Sequence, residues 1–482
     1  MSSRTESRET EVQRHGMMFL ISTIGITIAG FFATMFYAHR VGAEVLGMFF
    51  LFLSYFGILS LFSESGIGYA GVKRISEGKD PDAFYTACLV LRLIIYVLTI
   101  AVIIIFRDLF VDLNQSGFFW ILIAVVGLDI INAQLGTSVG GCNRLGLAAS
   151  TALINNLLRI GVQVILVYLG YRILGLVGGF IAGMIIQILL QSRFIDLHLR
   201  RFTWDHVRNI FTYAIWAFLT SSGNTVFEYV DILVIGYYMA VSDAGVYGIC
   251  WTFSSCGIFI TMALSSTLFV KVSRWNALGD TKAISLSLSR ACTYSLMFSI
   301  PIFFGGLLLG GPLLYSLYGA DFSLGAPALI LLIGMRVVQS IQQIYFTYLM
   351  ALDHAQEAFL VTGTMAVTNL LFDLLLVPAL GIPGAALASL ITVGISTVFA
   401  HYHLGRFTPI TLDRASLQRI GIAALTMVVL LVALLRIIPI SGALQPISLV
   451  GAGAAVYFGL LLAMDKGIRS SFWRIFEIEW NP

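Results

Sequence analysis

Charge is what this chain of 482 residues has least of: Asp, Glu, Lys and Arg together make up 11% of it, and the formal net charge is +3. A soluble domain carries about a quarter charged residues, enough to hydrate its surface. That covering is missing, while hydrophobic residues reach 58% and the mean hydropathy is +0.92. The solvent for most of the surface is therefore lipid. The nearly neutral balance points to neither a nucleic-acid partner nor electrostatic docking. Cysteine is scarce as well: Cys88, Cys142, Cys250, Cys256 and Cys292 form no CxxC pair. With no disulfide framework and no metal spacing, they read as small core residues. The sixteen polar residues MSSRTESRETEVQRHG precede an apolar run without a small-residue cleavage site, so no signal peptide is expected. No connection is long enough to form a soluble catalytic domain, and the chain reads as a non-enzyme.

What is present fits an all-α polytopic membrane protein. Forty-six Gly let helices approach closely, and 35 Phe fill against acyl chains. Crossing the hydrocarbon takes about 20 helical residues. Apolar runs of that kind, among them 17–39, 45–69, 209–239 and 291–311, predict fourteen spans. The predicted organisation is a cytoplasmic tail over 1–16, six spans over 17–193, a linker over 194–208, six spans over 209–404, a linker over 405–418, two spans over 419–464 and a tail over 465–482. Both linkers mix basic, aromatic and apolar residues and predict amphipathic interfacial segments. Of the 28 Lys and Arg residues, this arrangement leaves only Arg40, Arg107, Arg172 and Arg436 on the outer side and Arg92, Arg159 and Arg336 within spans. All others fall on the cytoplasmic side, which places both termini there, in a cytoplasmic (plasma or inner) membrane.

The two six-span halves share motifs in the same order. Gly175-Leu-Val-Gly178-Gly-Phe-Ile-Ala182 matches Gly381-Ile-Pro-Gly384-Ala-Ala-Leu-Ala388. Asn156-Leu-Leu matches Asn369-Leu-Leu, and Glu44-Val-Leu-Gly47-Met-Phe49 matches Ser242-Asp-Ala-Gly245-Val-Tyr247. Each glycine alone is explained by close helix packing. The ordered set predicts a duplication of two similarly oriented lobes with a cavity between them, the usual basis of alternating access.

These motifs resemble a known family. Arg40-Val-Gly-Ala-Glu-Val-Leu-Gly47-Met-Phe, Ser63-Glu-Ser-Gly66-Ile-Gly68 and Lys73-Arg74-Ile, with Asp231-Ile-Leu-Val-Ile-Gly236 and Asn369-Leu-Leu-Phe-Asp373 through Gly384-Ala-Ala, are similar to the polysaccharide (O-antigen type) flippases of the multidrug/oligosaccharidyl-lipid/polysaccharide exporter superfamily. The resemblance covers roughly residues 17–404. It implies two six-helix lobes and a polyprenyl-diphosphate-linked oligosaccharide carried from the cytoplasmic to the outer leaflet. Membrane lipids and polysaccharide-assembly enzymes are the implied partners of a monomeric transporter. Two departures stand out. Leu268-Phe-Val-Lys271-Val-Ser273 lacks the family's usual Pro, and neither 50–62 nor 247–270 holds the Arg of lipid II flippases.

An ionisable group deep in a bilayer is costly and so marks a candidate site. Arg92 lies near enough to a span end to snorkel or pair locally. Arg159 and Arg336 lie deeper and need an acid, water or an anionic ligand. For Arg159 two readings stand: a buried pair with Asp129, or a cavity-facing fork that suits phosphate oxygens. Arg40, Arg159 and Arg336 are the candidate substrate-binding residues. Gln339, Gln342 and Gln343 suit either a sugar-binding surface or helix–helix hydrogen bonds. Glu228 and Asp231 at i and i+3, and Asn369 and Asp373 at i and i+4, each predict a shared helix face. The resemblance to lipid II flippases implies an ion-coupling sodium site at Asp231, Asn369, Asp373 and Ser389. A proton-carrying carboxylate and a purely structural polar cluster are the alternatives. The runner-up function is a cation-coupled drug or small-solute antiporter. A membrane glycosyltransferase or polysaccharide polymerase comes third.

Overall fold

The computed structural model describes residues 2–64, 66–110, 113–114, 117–437, 444–465 and 469. Helices dominate them: α1 (Ser2–Glu64), α2 (Ile67–Ser76), α3 (Pro81–Ile105), α4 (Phe118–Gly141), α5 (Leu145–Tyr168), α6 (Arg172–Ser192), α7 (Trp204–Tyr238) and α8 (Val241–Ser254) come first. They are followed by α9 (Phe259–Leu278), α10 (Thr281–Tyr318), α11 (Ala326–Ala351), α12 (Ala355–Leu380), α13 (Ile382–Leu404), α14 (Arg414–Ile437) and α15 (Leu444–Met464).

Twelve helical stretches among the described residues are long and apolar enough to cross a membrane, and the chain is a multi-pass membrane protein. The fourteen spans read from the sequence differ from that number at two places. Span 17–39 and span 45–69 as far as Glu64 fall within α1, interrupted only at Gly42 with φ 78° and ψ 178°, and the end of the second span enters α2. Glycine takes that conformation without a Cβ penalty. Span 209–239 lies in α7, whose run Thr220-Ser-Ser-Gly-Asn-Thr225 dilutes its hydropathy below that of the twelve. The polar 1–16 tail is taken into α1 from Ser2 onward. Span 291–311 extends to Thr281–Tyr318, with Pro301 and Pro312 inside it. Within the 465–482 tail, Lys466 and Arg474 lie outside the described residues.

The two linkers carry no helix of their own before α7 and α14 begin: residues 195–203 and 409–413 have no regular structure. Residues 195–203 run without regular structure and are held to the lobe by α3. The His198 amide donates to Asp82 Oδ1 at 3.0 Å, and the Arg200 amide to Thr86 Oγ1 at 2.9 Å. Ile195-Asp-Leu-His-Leu-Arg200 alternates apolar and polar residues, a period of two that suits extended backbone. In the second linker Pro409 breaks the helical pattern, and its carbonyl accepts from Ser285 Oγ at 2.9 Å. Phe407 stacks on His354.

The chain divides into two compact units, Met1–Gly245 and Val246–Pro482. This division falls later than the six-plus-six boundary at 194–208, because α7 packs on α1, α2 and α3. Small residues make that approach possible. A Cβ at Gly57 would stand 2.3 Å from the Tyr229 ring, and one at Gly66 2.3 Å from the Ala214 carbonyl oxygen. Each copy of the glycine motif closes a helical hairpin through one glycine, at a different position of the motif. A Cβ at Gly179 of α6 would meet Gln163 of α5 at 2.3 Å, and one at Gly384 of α13 would meet the Leu376 carbonyl oxygen of α12 at 2.2 Å. In the second unit α14 and α15 pack on α10, where the Tyr457 hydroxyl donates to the Met297 carbonyl at 2.8 Å. Cys88, Cys250 and Cys292 are buried as expected, but Cys142 is only partly buried. Cys256 is exposed, because it sits in the 3-10 turn between α8 and α9.

Candidate substrate and ion sites

In the first unit the deep arginines meet different surroundings. Arg92 does not snorkel. It is fully buried and donates to Gln134 Oε1 at 2.7 Å and Thr137 Oγ1 at 2.8 Å, both on α4. Gln134 in turn donates to the Tyr85 carbonyl, so the amide is fixed from both sides.

Arg159 does not pair with Asp129. Its Nη2 donates to Asn156 Oδ1 at 3.0 Å, one turn earlier on α5. A partner at i−3 on the same helix is already in reach, whereas pairing with α4 requires the fork to turn toward that helix. The buried Nε of Arg159 has no hydrogen-bond partner. The Tyr37 and Tyr229 phenols lie near the guanidinium. Tyr37 also approaches Gln163 Oε1 at 3.3 Å, and Gln163 donates to the Leu176 carbonyl. Amides and phenols around a cation with an unmet donor make a polar patch able to receive an anionic oxygen. Sequence reading missed Tyr37 and Gln163, although Gln163 lies one turn beyond Arg159 on the same helix.

Arg40 lies at the lobe surface between the Phe36 and Tyr168 rings, at 5.9 and 5.5 Å from their centroids. In the second unit Arg336 is 5% exposed. Its Nε donates to Ser254 Oγ at 3.2 Å, its Nη1 to Gln339 Oε1 at 2.6 Å, and its guanidinium lies 4.3 Å from the Trp251 ring centroid. The structure therefore gives Gln339 to Arg336, and Gln342 is buried. Arg336 is held by its own lobe in a way that Arg159 is not.

The acidic candidates divide between the units. Asp231 of α7 is 1% exposed, but Glu228 is exposed, so the two do not share one environment. Three residues advance a helix by about 300°, and the remaining offset places them on either side of the burial boundary. Asn369, Asp373 and Ser389 are all fully buried in the second unit. Asn369 and Asp373 continue the buried stripe Ala358, Thr362, Met365 down α12. Asp373 on α12 and Ser389 on α13 are equally far in sequence from the Gly381 turn, which sets them at one depth of the hairpin. Both amide atoms of Asn369 are buried without a hydrogen-bond partner, as are Thr392 Oγ1 and Ser396 Oγ of α13. Each such atom costs roughly 1–3 kcal/mol unless something satisfies it. Hard oxygens of this kind, beside a buried carboxylate, fit a small hard cation. Among the described residues no three His, Cys, Asp or Glu side chains group to hold a metal, so any such site draws on amide and hydroxyl oxygens. Thr392 and Ser396 were missed from sequence, yet Ser389, Thr392 and Ser396 recur at three- and four-residue spacing.

The comparisons agree with this architecture. The chain is 27% identical over 446 residues to the "Probable low-salt glycan biosynthesis flippase Agl15" of Haloferax volcanii, covering 92% of this chain and 93% of that protein. It is 23% identical to the "Probable flippase AglR" of the same organism, over 92% of this chain and 94% of the relative. Among solved structures, the inward closed conformation of the lipid II flippase MurJ matches with a TM-score of 0.78 at 20% identity, covering 95% of this chain and 99% of that one. An inward-facing multidrug resistance MATE transporter matches with a TM-score of 0.59 at 16% identity, over 80% of this chain and 98% of its own. These two likenesses concern the fold. The polysaccharide biosynthesis protein model matches residues 41–326, and the chain belongs to that family.

Proposed function

We propose that this chain is a flippase that carries a polyprenyl-diphosphate-linked oligosaccharide from the cytoplasmic to the outer leaflet by alternating access. The observation that carries the reading is Arg159, a deep cation with an unmet Nε donor, in a chain that aligns almost end to end with a protein described as a glycan biosynthesis flippase. Its planar fork suits phosphate oxygens, and the neighbouring Asn156, Tyr37 and Gln163 suit the remaining polar atoms of a diphosphate. Arg40 at the lobe surface is the second anion contact. Arg336, enclosed by Trp251, Ser254 and Gln339, acts by shaping its lobe.

The coupling ion, sodium or a proton, is held in the second unit by Asn369, Asp373 and Ser389. A bound cation would satisfy the amide oxygen that the protein leaves unpartnered. Asp231 in the first unit is a further coupling candidate. The protein works as a monomer in the cytoplasmic membrane with both termini inside, beside the enzymes that assemble the glycan. The likeness to MATE transporters favours a second reading, cation-coupled export of drugs or small solutes. Liposomes containing the purified chain and a fluorescent polyprenyl-diphosphate oligosaccharide distinguish the two. Glycan becoming accessible to an external, membrane-impermeant glycosidase supports the flippase. Efflux of cationic dyes without glycan movement refutes it.

A further inference from the structure

The outer surface of the first unit carries an apolar groove of about 580 Å³, walled by α3 and α7 and closed at its base by the start of α2. Ile67, Ile210 and Ala214 form its buried floor. Gly66 lets α2 start directly against the Ala214 carbonyl of α7. Along the rim, Ile94, Leu98, Val102 and Phe211 are exposed. Thr99 is the polar side chain in the lining. None of Arg40, Arg92, Arg159 or Asp231 lines this groove, so it is separate from the proposed substrate patch.

Its dimensions are those of one leaflet. The α3 wall runs from Leu91 to Val102, about 16 Å at ~1.5 Å per residue. The hydrocarbon core is about 30 Å thick, so the groove spans half of it. About 7 Å further toward the start of α3, by the same rise, stands Thr86, whose hydroxyl accepts the Arg200 amide. There a second pocket of about 470 Å³ is lined by Thr86, Leu199, Arg200, Arg201 and Phe202. Neither arginine has an acidic partner among the described residues. The nearby Asp82 accepts the His198 amide instead. The two pockets share a foundation. Phe202 of the linker, together with Leu91 and Ile95 of the groove, packs on one core cluster that includes Ile67, Ile210 and Ala214. Lys73 adds a further positive charge toward α7, its ammonium 4.5 Å from the Tyr213 ring centroid.

A leaflet-deep apolar groove ending at a pair of unpaired arginines has the shape and polarity of a lipid. The geometry points to one anionic phospholipid of the bilayer bound here, its phosphate at Arg200 and Arg201 and one hydrocarbon chain lying along α3. The extended linker is then the headgroup platform: its backbone is pinned by Asp82 and Thr86, and Arg200 and Arg201 both line the pocket beyond the end of the groove. The site does not depend on what the protein transports, because the ligand is the membrane itself.

The test uses the purified full-length protein, with native mass spectrometry and thermal melting in detergent. Phosphatidylglycerol is compared with phosphatidylcholine carrying the same chains. The wild type should retain one phosphatidylglycerol per chain, preferred over phosphatidylcholine by about tenfold or more. Arg200→Gln with Arg201→Gln should remove that preference. Thr99→Trp, which fills the groove, should weaken both lipids. Equal binding of the two lipids by the wild type overturns the proposal without any variant. So does an undiminished preference in the double variant, or retention of a polyprenyl diphosphate lipid with no phospholipid. Loss of transport in liposomes with the lipid preference intact would instead count against the flippase reading alone.

Discussion

Arg419 at the start of α14 and Asp465 just beyond α15 form a 2.9 Å ion pair whose two ends meet different solvents, the arginine side chain 40% exposed and the carboxylate 3%. Ser416 Oγ donates to the same carboxylate at 2.7 Å. Removing the arginine leaves a buried anion with less support, whereas removing the acid leaves a cation that water can reach. Arg419→Ala should therefore lower stability by about 1–2 kcal/mol, a figure already reduced for the exposed arginine. Asp465→Asn should cost less, since its amide still accepts from Ser416. Equal melting temperatures for wild type and Arg419→Ala would show that Ser416 alone satisfies the acid.

Asp413 caps α14. Its Oδ1 accepts from the Ala415 and Ser416 amides, each at 3.1 Å, and its Oδ2 lies 2.8 Å from Ser416 Oγ, whose single proton is shared with Asp465. The Ser416 amide and hydroxyl hold this carboxyl below the ordinary Asp value of 3.8. A depressed folded value stabilises the helix start fully above 3.8 and loses that contribution as pH falls through the lower folded value. The protection of amide hydrogens at the start of α14, taken relative to their intrinsic exchange rate at each pH, should fall on acidification below pH 3.8. In Asp413→Ala that protection should be low and unchanged across the same window.

Much of this architecture could be read from the residues alone, because lipid imposes simple rules on a chain with so little charge. The glycine motifs that open at Gly175 and at Gly381 mark hairpins whose Gly179 and Gly384 approach a neighbour too closely for a Cβ, and a recurring motif conveys that well. The Asn369–Asp373 stripe was legible for the same reason, since an i, i+4 pair needs only the helical period. Three features were not legible. The 194–208 linker mixes apolar and basic residues like an interfacial helix, and only its period of two betrays extended backbone. The break at Gly42 is one residue in a continuous helix, with no polar loop to announce it. The choice of Asn156 over Asp129 by Arg159 depends on which way one side chain turns, and charge matching favours the wrong partner.

Topology can be tested at sites the structure defines. The bias in Lys and Arg predicts Pro482 inside and the turn after α10 outside. Because α10 runs to Tyr318, a reporter belongs after Gly319, where φ is 104° and Ala320 is exposed. A cysteine at position 320 in a cysteine-free background should react with an impermeant maleimide in intact cells. A reporter fused after Pro482 should be reachable only after permeabilisation. The reverse pattern would invert the protein and the direction of transport.

Arg159 separates substrate binding from helix packing. Arg159→Ala should reduce glycolipid movement about thirtyfold or more, the loss of charge-assisted hydrogen bonds to an anion. Arg159→Lys should recover part of it, because an ammonium keeps the charge but lacks the planar fork. Asp129→Ala should not rescue Arg159→Ala, since the two do not pair. Rescue by the double substitution would assign Arg159 to structure and remove it from the substrate patch.

The second unit makes the claim with the most direct physical readout. Asn369 carries an amide with no partner on either atom, in a stripe shared with the fully buried Asp373 and facing the hydroxyl-bearing hairpin mate α13. A cation that binds the folded state and not the unfolded one stabilises by RT ln(1 + [L]/Kd), about 2.7 kcal/mol at a hundred times Kd. Melting of the purified protein should therefore rise with sodium over choline at constant ionic strength. Asp373→Asn and Asn369→Ala should each erase the rise, and Asp231→Asn will show whether the acid of α7 contributes. A rise produced by acidification and not by sodium would assign the site to a proton, which moves on and off the Asp373 carboxyl. If neither ion shifts the melting, and Asp373→Asn still moves glycolipid at the wild-type rate, the stripe serves only to hold α12 and α13 together.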